Sequence, residues 1–243
     1  MSGWNVRPGR WLTPARRRGH EILDAPGIDP ALRRRSHRDI ALSNAWLGGS
    51  RALTLALRPS LRGAAGVTCT LLDVGTGSGE NLELAAREAR RAGITLRAIA
   101  LDLDERLARV CTSRALGVCG SALELPVANR AVDVVICSLL LHHFTGDALA
   151  RVVREMHRVA RRQVIIHDLR RSWVAAAGLW AVSFPLAFHR VSRHDGVTSV
   201  LRGFTADELR SLVFDATGVM PNVERRLGYR LVASWTPERE ATN

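Results

Sequence analysis

The stretch Leu71-Leu72-Asp73-Val74-Gly75-Thr76-Gly77-Ser78-Gly79-Glu80 decides the fold. An apolar run ends in Asp73 and Val74, three glycines follow at alternate positions, and beyond Glu80 the pattern turns helical, so the segment reads as strand, tight loop and helix start. Glycines there let the backbone turn sharply and let a ligand lie against main-chain N–H groups. The spacing bears on which ligand. A dinucleotide-binding loop of the form GxGxxG needs glycine at position 80, where Glu80 would set a carboxylate against a pyrophosphate. Asp73 and Glu80 instead give the loop negative potential, and Asp102, at the end of the next expected strand, is placed to accept from ribose hydroxyls. Together they suit a cationic ligand that contains a ribose; the plain alternative is an ordinary strand-to-helix turn.

Outward from this loop, short β-type runs alternate with amphipathic helical stretches, the pattern of a doubly wound α/β domain with a parallel sheet. Strands are expected at residues 67–74, 96–102, 117–121, 131–138 and 163–168. The run at 131–138 is nearly all apolar and should be central. The helix from Glu80 to about Ala92 is acidic early and basic late, with Gly93 as its stop. Asp104 should start a helix ending near Ala115, and Thr145 should cap the one after strand four. Phe204-Thr205-x-x-Glu208-Leu209 combines a capping box with a hydrophobic staple and opens a helix that Gly218 closes. Val223 to Trp235 alternates about Gly228, as a terminal antiparallel hairpin would. Upstream, residues 1–65 form a separate arginine-rich helical segment, in which Asp29-Pro30 marks a helix start; residues 66–243 form the main domain.

The chain has 243 residues and a formal charge of +12, and all 35 of its Lys+Arg residues are arginine. Without lysine, Schiff-base chemistry and a Walker A loop are excluded. The charge reads as compositional bias, because the arginines are scattered along expected helices, and nucleic acid is not the expected partner. The triplets Arg16-Arg17-Arg18 and Arg33-Arg34-Arg35 have no assigned role at this level. Cys69, Cys111, Cys119 and Cys137 stand apart from one another and from histidines at ligand spacing, so no metal site is expected, and buried thiols in a reducing cytoplasm fit best. The opening residues lack the apolar core of a signal peptide, and export is not expected. The apolar stretch from Trp173 to Phe188, broken by Gly178, Ser183 and Pro185, falls short of the ~20 residues a membrane span needs and reads as a core or pocket helix.

Asp73–Gly79 (DVGTGSG), the acidic strand end at Asp102, and GSALELPVANRAVDVVICSLLLHHF at 120–144 resemble the motifs of the class I S-adenosylmethionine-dependent methyltransferases. The likeness is closest to the branch that includes ubiquinone-biosynthesis and natural-product enzymes, and it covers residues 67–168. It implies a Rossmann-like, seven-stranded, mostly parallel sheet with helices on both faces, an antiparallel terminal strand and an N-terminal helical cap over the cofactor. It further implies S-adenosylmethionine as cofactor, with Gly75, Thr76, Gly77 and Gly79 at its methionyl part, Asp73 near its ammonium, Asp102 on the ribose and Leu103 against the adenine. Relatives often carry an aspartate after the strand-three glycine; here Ser121 stands there, followed by Ala122, which puts adenine recognition on different groups. Ser138 matches a position whose backbone approaches the methionine.

Methyl transfer to a hydroxyl requires alignment with the methyl carbon and removal of a proton. His142 and His143, beside the end of strand four, are the first candidates for the base. His167-Asp168 and Arg193-His194-Asp195-Gly196 supply others, of which His194 is retained; His167 and Asp168, adjacent on a strand, point to opposite faces and should not pair with each other, which favours a solvent-facing or structural role. Trp173, Trp180, Phe184 and Phe188 with Trp46 could form an apolar lid over an aromatic or polyketide-like substrate. The expected reaction is methylation of a small-molecule hydroxyl. The alternatives are C-methylation of a quinone or polyketide ring, an RNA-directed enzyme, and a SAM-binding partner protein without catalysis. Against nucleic acid, strand four reads Ser138-Leu139-Leu140-Leu141 where amino-methylating relatives carry [DN]PP[YF].

Overall fold

The computed structural model describes residues 12–17, 19–25, 27–62, 66–110 and 115–237. In chain order the elements are α1 (Pro30–Trp46), α2 (Gly49–Ser60), β1 (Thr68–Val74), α3 (Glu80–Arg91), β2 (Thr95–Asp102), α4 (Glu105–Val110), β3 (Leu116–Cys119), β4 (Val132–Ser138), α5 (Gly146–Val159), β5 (Ala160–Leu169), α6 (Trp173–Val182), α7 (Arg190–Arg202), α8 (Ala206–Thr217), β6 (Asn222–Arg226) and β7 (Arg230–Trp235). Single 3-10 turns lie at Ile22–Asp24 and Leu141–His143.

The seven strands form one sheet in the order β3-β2-β1-β4-β5-β7-β6. β1 to β5 run parallel, and β7 pairs antiparallel with both β5 and β6. This is the expected architecture, including the reversed terminal strand. β1 and β4 lie at the centre, and alternate residues feed two cores, as the two-residue period of a strand requires. On one face Leu71, Val134, Ile136 and Ile165 meet Leu53 and Leu57 of α2 and Leu82 and Ala85 of α3. On the other, Leu72, Val135, Val164 and Ile166 meet Val152, Val153 and Met156 of α5 and Leu209 and Val213 of α8. Each of these larger side chains contributes roughly 1.5–3 kcal/mol by leaving water.

The local signals act as expected at most helix ends. Asp29 accepts from the Ala31 N–H with Pro30 in the first turn, Thr205 and Glu208 form the reciprocal capping box, and Gly218 closes α8 at φ 74°. Thr145 does occupy the N-cap position of α5, but its side chain makes no capping hydrogen bond. The expected helix up to Ala115 is seen through Val110; positions 111–114, Cys111 included, lie outside the described residues, as does Arg18. Cys69 and Cys137 are buried, whereas Cys119 is exposed because β3 is an edge strand. Among the described residues no helix is long and apolar enough to cross a membrane.

Arg16 and Arg17 of one arginine triplet and Arg33 and Arg35 of the other meet the protein's own groups. Arg16 donates to the carbonyls of Arg202 (2.7 Å) and Phe144 (3.3 Å) and lies over the Phe204 ring. Arg17 lies over Trp173, Arg33 pairs with Asp104 at 2.9 Å, and Arg35 donates to the Ala187 carbonyl. Asp195 of α7 accepts from the N–H groups of Ile22 and Leu23, both at 2.9 Å. The N-terminal segment is thereby fastened to α7 above the carboxyl ends of the central strands.

Candidate active site

The sheet order reverses direction between β1 and β4, and the crevice at such a switch point, beyond the carboxyl ends of the strands, is where α/β sheets bind ligands. The glycine loop forms one wall. Gly75, Gly77 and Gly79 take φ of 72°, 55° and 81°, which side chains other than glycine adopt at a cost. The N–H groups of Gly75 and Thr76 donate to the Leu101 carbonyl, at 2.8 and 3.0 Å. Asp102 braces the loop from β2: Oδ2 accepts from the Gly77 N–H at 2.9 Å and Oδ1 from the Asp104 N–H at 3.0 Å. A Cβ on Gly75 would come within 2.7 Å of Leu140, while above Gly77 nothing lies within 4 Å.

Asp73 is fully buried beneath the loop. Its Oδ2 accepts from the Thr76 hydroxyl at 3.0 Å, and its Oδ1 has no hydrogen-bond partner among the described residues. Burial pushes this carboxyl up to about 7, against the hydrogen bonds from Thr76 and Asn81. A buried carboxylate oxygen with nothing to bind is costly, and a cationic group would relieve it. The open space over Gly77, the unpartnered Asp73 oxygen and the Asp102 carboxylate fit a cationic nucleoside cofactor.

Gly75, Thr76, Gly77 and Ser138 line one cavity of about 570 Å³, within the size range of small-molecule sites. Asp73 and Gly79 lie behind its wall. Asp102, Leu103, Ser121 and Ala122 lie outside it at the adjoining ends of β2 and β3, where Leu103 is 76% exposed and the Ser121 hydroxyl accepts from the Leu123 N–H. Two residues on the wall, Leu139 and Tyr229, hold left-handed φ of 55° without being glycine. Such strain is concentrated at functional sites; the Leu139 N–H is held by the His167 carbonyl at 2.8 Å.

His142 and His143 line the same cavity with Glu21 and Asp24. Asp168 accepts from His142 through Oδ1 at Nδ1 (2.7 Å) and through Oδ2 at its backbone N–H (3.2 Å). The other ring nitrogen faces Glu21 at 3.6 Å. Burial pulls this imidazole down, but the Asp168 charge and hydrogen bond, with Glu21 behind them, reverse that and raise it to about 9. His143 is more open, with Nδ1 3.2 Å from Asp24 and Nε2 3.9 Å from Glu21. Arg202 locks the cluster: it donates to the carbonyls of His142 and His143, both at 3.1 Å, and pairs with Glu21 and Asp24, both at 3.4 Å. The donor atoms of Glu21, His142 and His143 lie within 4.8 Å of one another, close enough for one cation to share, but the Arg202 charge beside Glu21 opposes that occupant.

His167 and Asp168 do point to opposite faces of β5 and make no pair with each other, but neither faces solvent. His167 meets the Ser138 hydroxyl at 2.7 Å, and burial followed by the Arg230 charge pushes it down to about 3, so it is neutral. His194 lies away from the cavity wall, with a half-exposed side chain 2.9 Å from Asp195. The apolar wall comes from Val174, Gly178 and Val182 along one stripe of α6, joined by Leu179 and Phe188. Trp173, Trp180 and Phe184 lie on another stripe, 41%, 54% and 50% exposed, and Trp46 is 74% exposed, so of the expected lid aromatics Phe188 alone lines the cavity. Sequence reading missed Glu21, Asp24, Arg202 and Arg230; each meets its partners across most of the chain, and no local motif marks them.

A family model described as "Methyltransferase domain" matches residues 72–167. No curated protein matches the sequence. Among solved structures, the plantazolicin methyltransferase BpumL in complex with S-adenosylhomocysteine is similar at 13% identity and a TM-score of 0.66, over 87% of this chain and 92% of that one. The 1,6-didemethyltoxoflavin-N1-methyltransferase of Burkholderia thailandensis is similar at 18% identity and 0.55, over 89% and 93%. A SAM-dependent methyltransferase from Aquifex aeolicus gives 16% and 0.53, over 76% and 89%. At such identities the likeness is one of fold, and it joins the domain match and the glycine loop in one conclusion. The chain carries a methyltransferase domain, matched over residues 72–167, on the Rossmann-like fold that the solved S-adenosylmethionine-dependent methyltransferases share.

Proposed function

We propose that the chain transfers the methyl group of S-adenosylmethionine to a small molecule, at an aromatic or polyketide-like hydroxyl. The observation that carries this reading is that the glycine loop, the His142–Glu21 pair that Asp168 supports from behind, and the apolar stripe of α6 line one cavity. The similar solved structures include enzymes named for plantazolicin and for 1,6-didemethyltoxoflavin, and these names support a small-molecule substrate class. When bound, the cofactor supplies an electrophilic methyl on a sulfonium.

This chain's residues do the rest. Gly75, Thr76, Gly77 and Gly79 hold the methionyl part with the Ser138 backbone, Asp73 meets its ammonium, Asp102 holds the ribose, Leu103 packs on the adenine, and the Ser121-Ala122 turn borders it. The segment 1–65 covers the site. His142 is the base, oriented by Asp168 at Nδ1 and facing Glu21 on the cavity wall through Nε2. With its imidazole raised to about 9 it is charged at neutral pH, so it accepts a proton only as the pH climbs toward that value. His143 is the second imidazole of the site. His194, half-exposed and away from the cavity, is left with a role on the α7 surface. The free thiols of Cys69, Cys119 and Cys137 support a reducing, cytoplasmic setting.

Incubation with S-adenosylmethionine and a panel of phenols tests the reading, with product mass as readout. An O-methylated product, with His142→Ala slowed by about 10²–10⁴-fold, is the expected result. Methylation at ring carbon would move the reaction to the alternative. A double His142→Ala/His143→Ala variant with unchanged turnover would remove the histidine base.

A further inference from the structure

Arg230 opens β7, is 5% exposed and lines the cavity. A guanidinium so far from water normally faces a carboxylate, because an unpaired buried charge is expensive. Here one terminal nitrogen donates to Asn44 Oδ1 at 3.0 Å, and Nε is buried with no partner among the described residues. The nearest acidic influence is Asp168, whose oxygens are already taken by His142 and the Leu169 N–H. The N-terminus of α2 adds to the excess of positive potential. It has no side-chain cap, and a Cβ on Gly49 would come within 3.2 Å of Arg230 Nε, so the positive end of that helix dipole lies against the same guanidinium.

The sheet order says which ligand can answer this charge. β7 stands three strands from β1, roughly 14 Å at the usual spacing of strands. Arg230 therefore starts from the β5 side of the crevice and not from the strand that carries the glycine loop, and it pairs there in register with Leu169. We infer that Arg230 receives an anionic oxygen, phenolate or carboxylate, of the molecule to be methylated. The word "methylated" rests on the proposed function; the anion site itself does not. A phenol seated there is held as its phenolate, its proton passing to solvent, and anchors the molecule, while the hydroxyl that takes the methyl gives its proton to His142.

4-Nitrophenol is a suitable probe, because its phenolate is yellow and its ionisation is read by absorbance without turnover. The full-length chain should bind it as the phenolate, displacing its titration to lower pH. Arg230→Gln should cancel the displacement and weaken binding by about tenfold or more, the loss of one charge-assisted hydrogen bond. The same variant should keep its affinity for S-adenosylmethionine and melt at the same temperature or higher, since it removes an unpaired buried charge. Arg230→Lys should retain part of the displacement. Unchanged probe binding in Arg230→Gln overturns the inference, and so does a variant that loses cofactor affinity while still ionising the probe, which would give the anion to the cofactor's carboxylate. A lower melting temperature with intact probe binding likewise overturns it, as the mark of a purely structural arginine. If the wild-type chain ionises the probe yet ignores S-adenosylmethionine, the methyl-transfer reading fails and the anion site stands.

Discussion

Asp73 and His142 hold their protons unusually tightly for different reasons, and each makes a testable demand on pH. Burial raises Asp73 to about 7. A ligand ammonium favours the carboxylate, so cofactor binding below that value should release a proton, and affinity should increase as the pH rises toward it. Calorimetry at about pH 6 in two buffers of different ionisation heat should show the release, and Asp73→Asn should abolish it; equal heats in wild type and variant would separate Asp73 from the cofactor. For His142 the base form is the neutral one, so the rate should climb with pH up to about 9. Asp168 is the largest influence raising that value, and Asp168→Asn should move the rising limb of the pH–rate profile to lower pH while reducing kcat. A limb that stays in place would show that another group takes the proton. At this scale His142, His143 and Ser138 were legible because they sit at the end of an evident strand. Glu21 was not, since it meets Arg202 across 181 residues.

Helices and strands were legible wherever the signal is local. The apolar run of β4, the glycine stop of α3 and the capping box of α8 all lie within a few residues of what they decide. The start of β5 was not, because it follows Val159 directly and no turn residue marks the change. The α6 lid was misread for a similar reason: an apolar helix does not reveal which stripe faces inward. The tight contacts of two glycines give the sharpest tests. Gly75→Ala would place a left-handed alanine within 2.7 Å of Leu140, and should cost about 1–3 kcal/mol and weaken cofactor binding. Gly77→Ala faces open space and should cost about 1 kcal/mol. In the β6–β7 hairpin a Cβ on Gly228 would fall 1.5 Å from the Leu47 carbonyl oxygen, so Gly228→Ala must separate the hairpin from the α1–α2 turn. Denaturant melts should rank the losses with Gly228→Ala and Gly75→Ala above Gly77→Ala; a reversed order would contradict the packing.

For the whole molecule, sheet order and strand direction followed from the alternation of runs together with the family resemblance, whereas the fastening of the N-terminal segment did not, since arginine pairings over such distances leave no pattern. That fastening bears on the charge of +12. Arg16, Arg17, Arg33 and Arg35 are engaged with the protein's own carbonyls, rings and Asp104, which ties down these four of the triplet arginines that a phosphate backbone would grip. A shift assay with structured RNA should accordingly give weak binding without sequence preference. Tight binding that falls steeply with salt would restore the nucleic-acid alternative.

Methyl transfer by this chain depends on the crevice between β1 and β4 accepting a sulfonium nucleoside. Titration calorimetry of the full-length chain with S-adenosylmethionine, run beside NADH and repeated with Gly75→Ala, tests this most directly. Saturable one-site binding of S-adenosylmethionine, weakened in the variant and absent for NADH, is expected; no heat with S-adenosylmethionine, or binding of NADH in its place, would contradict it.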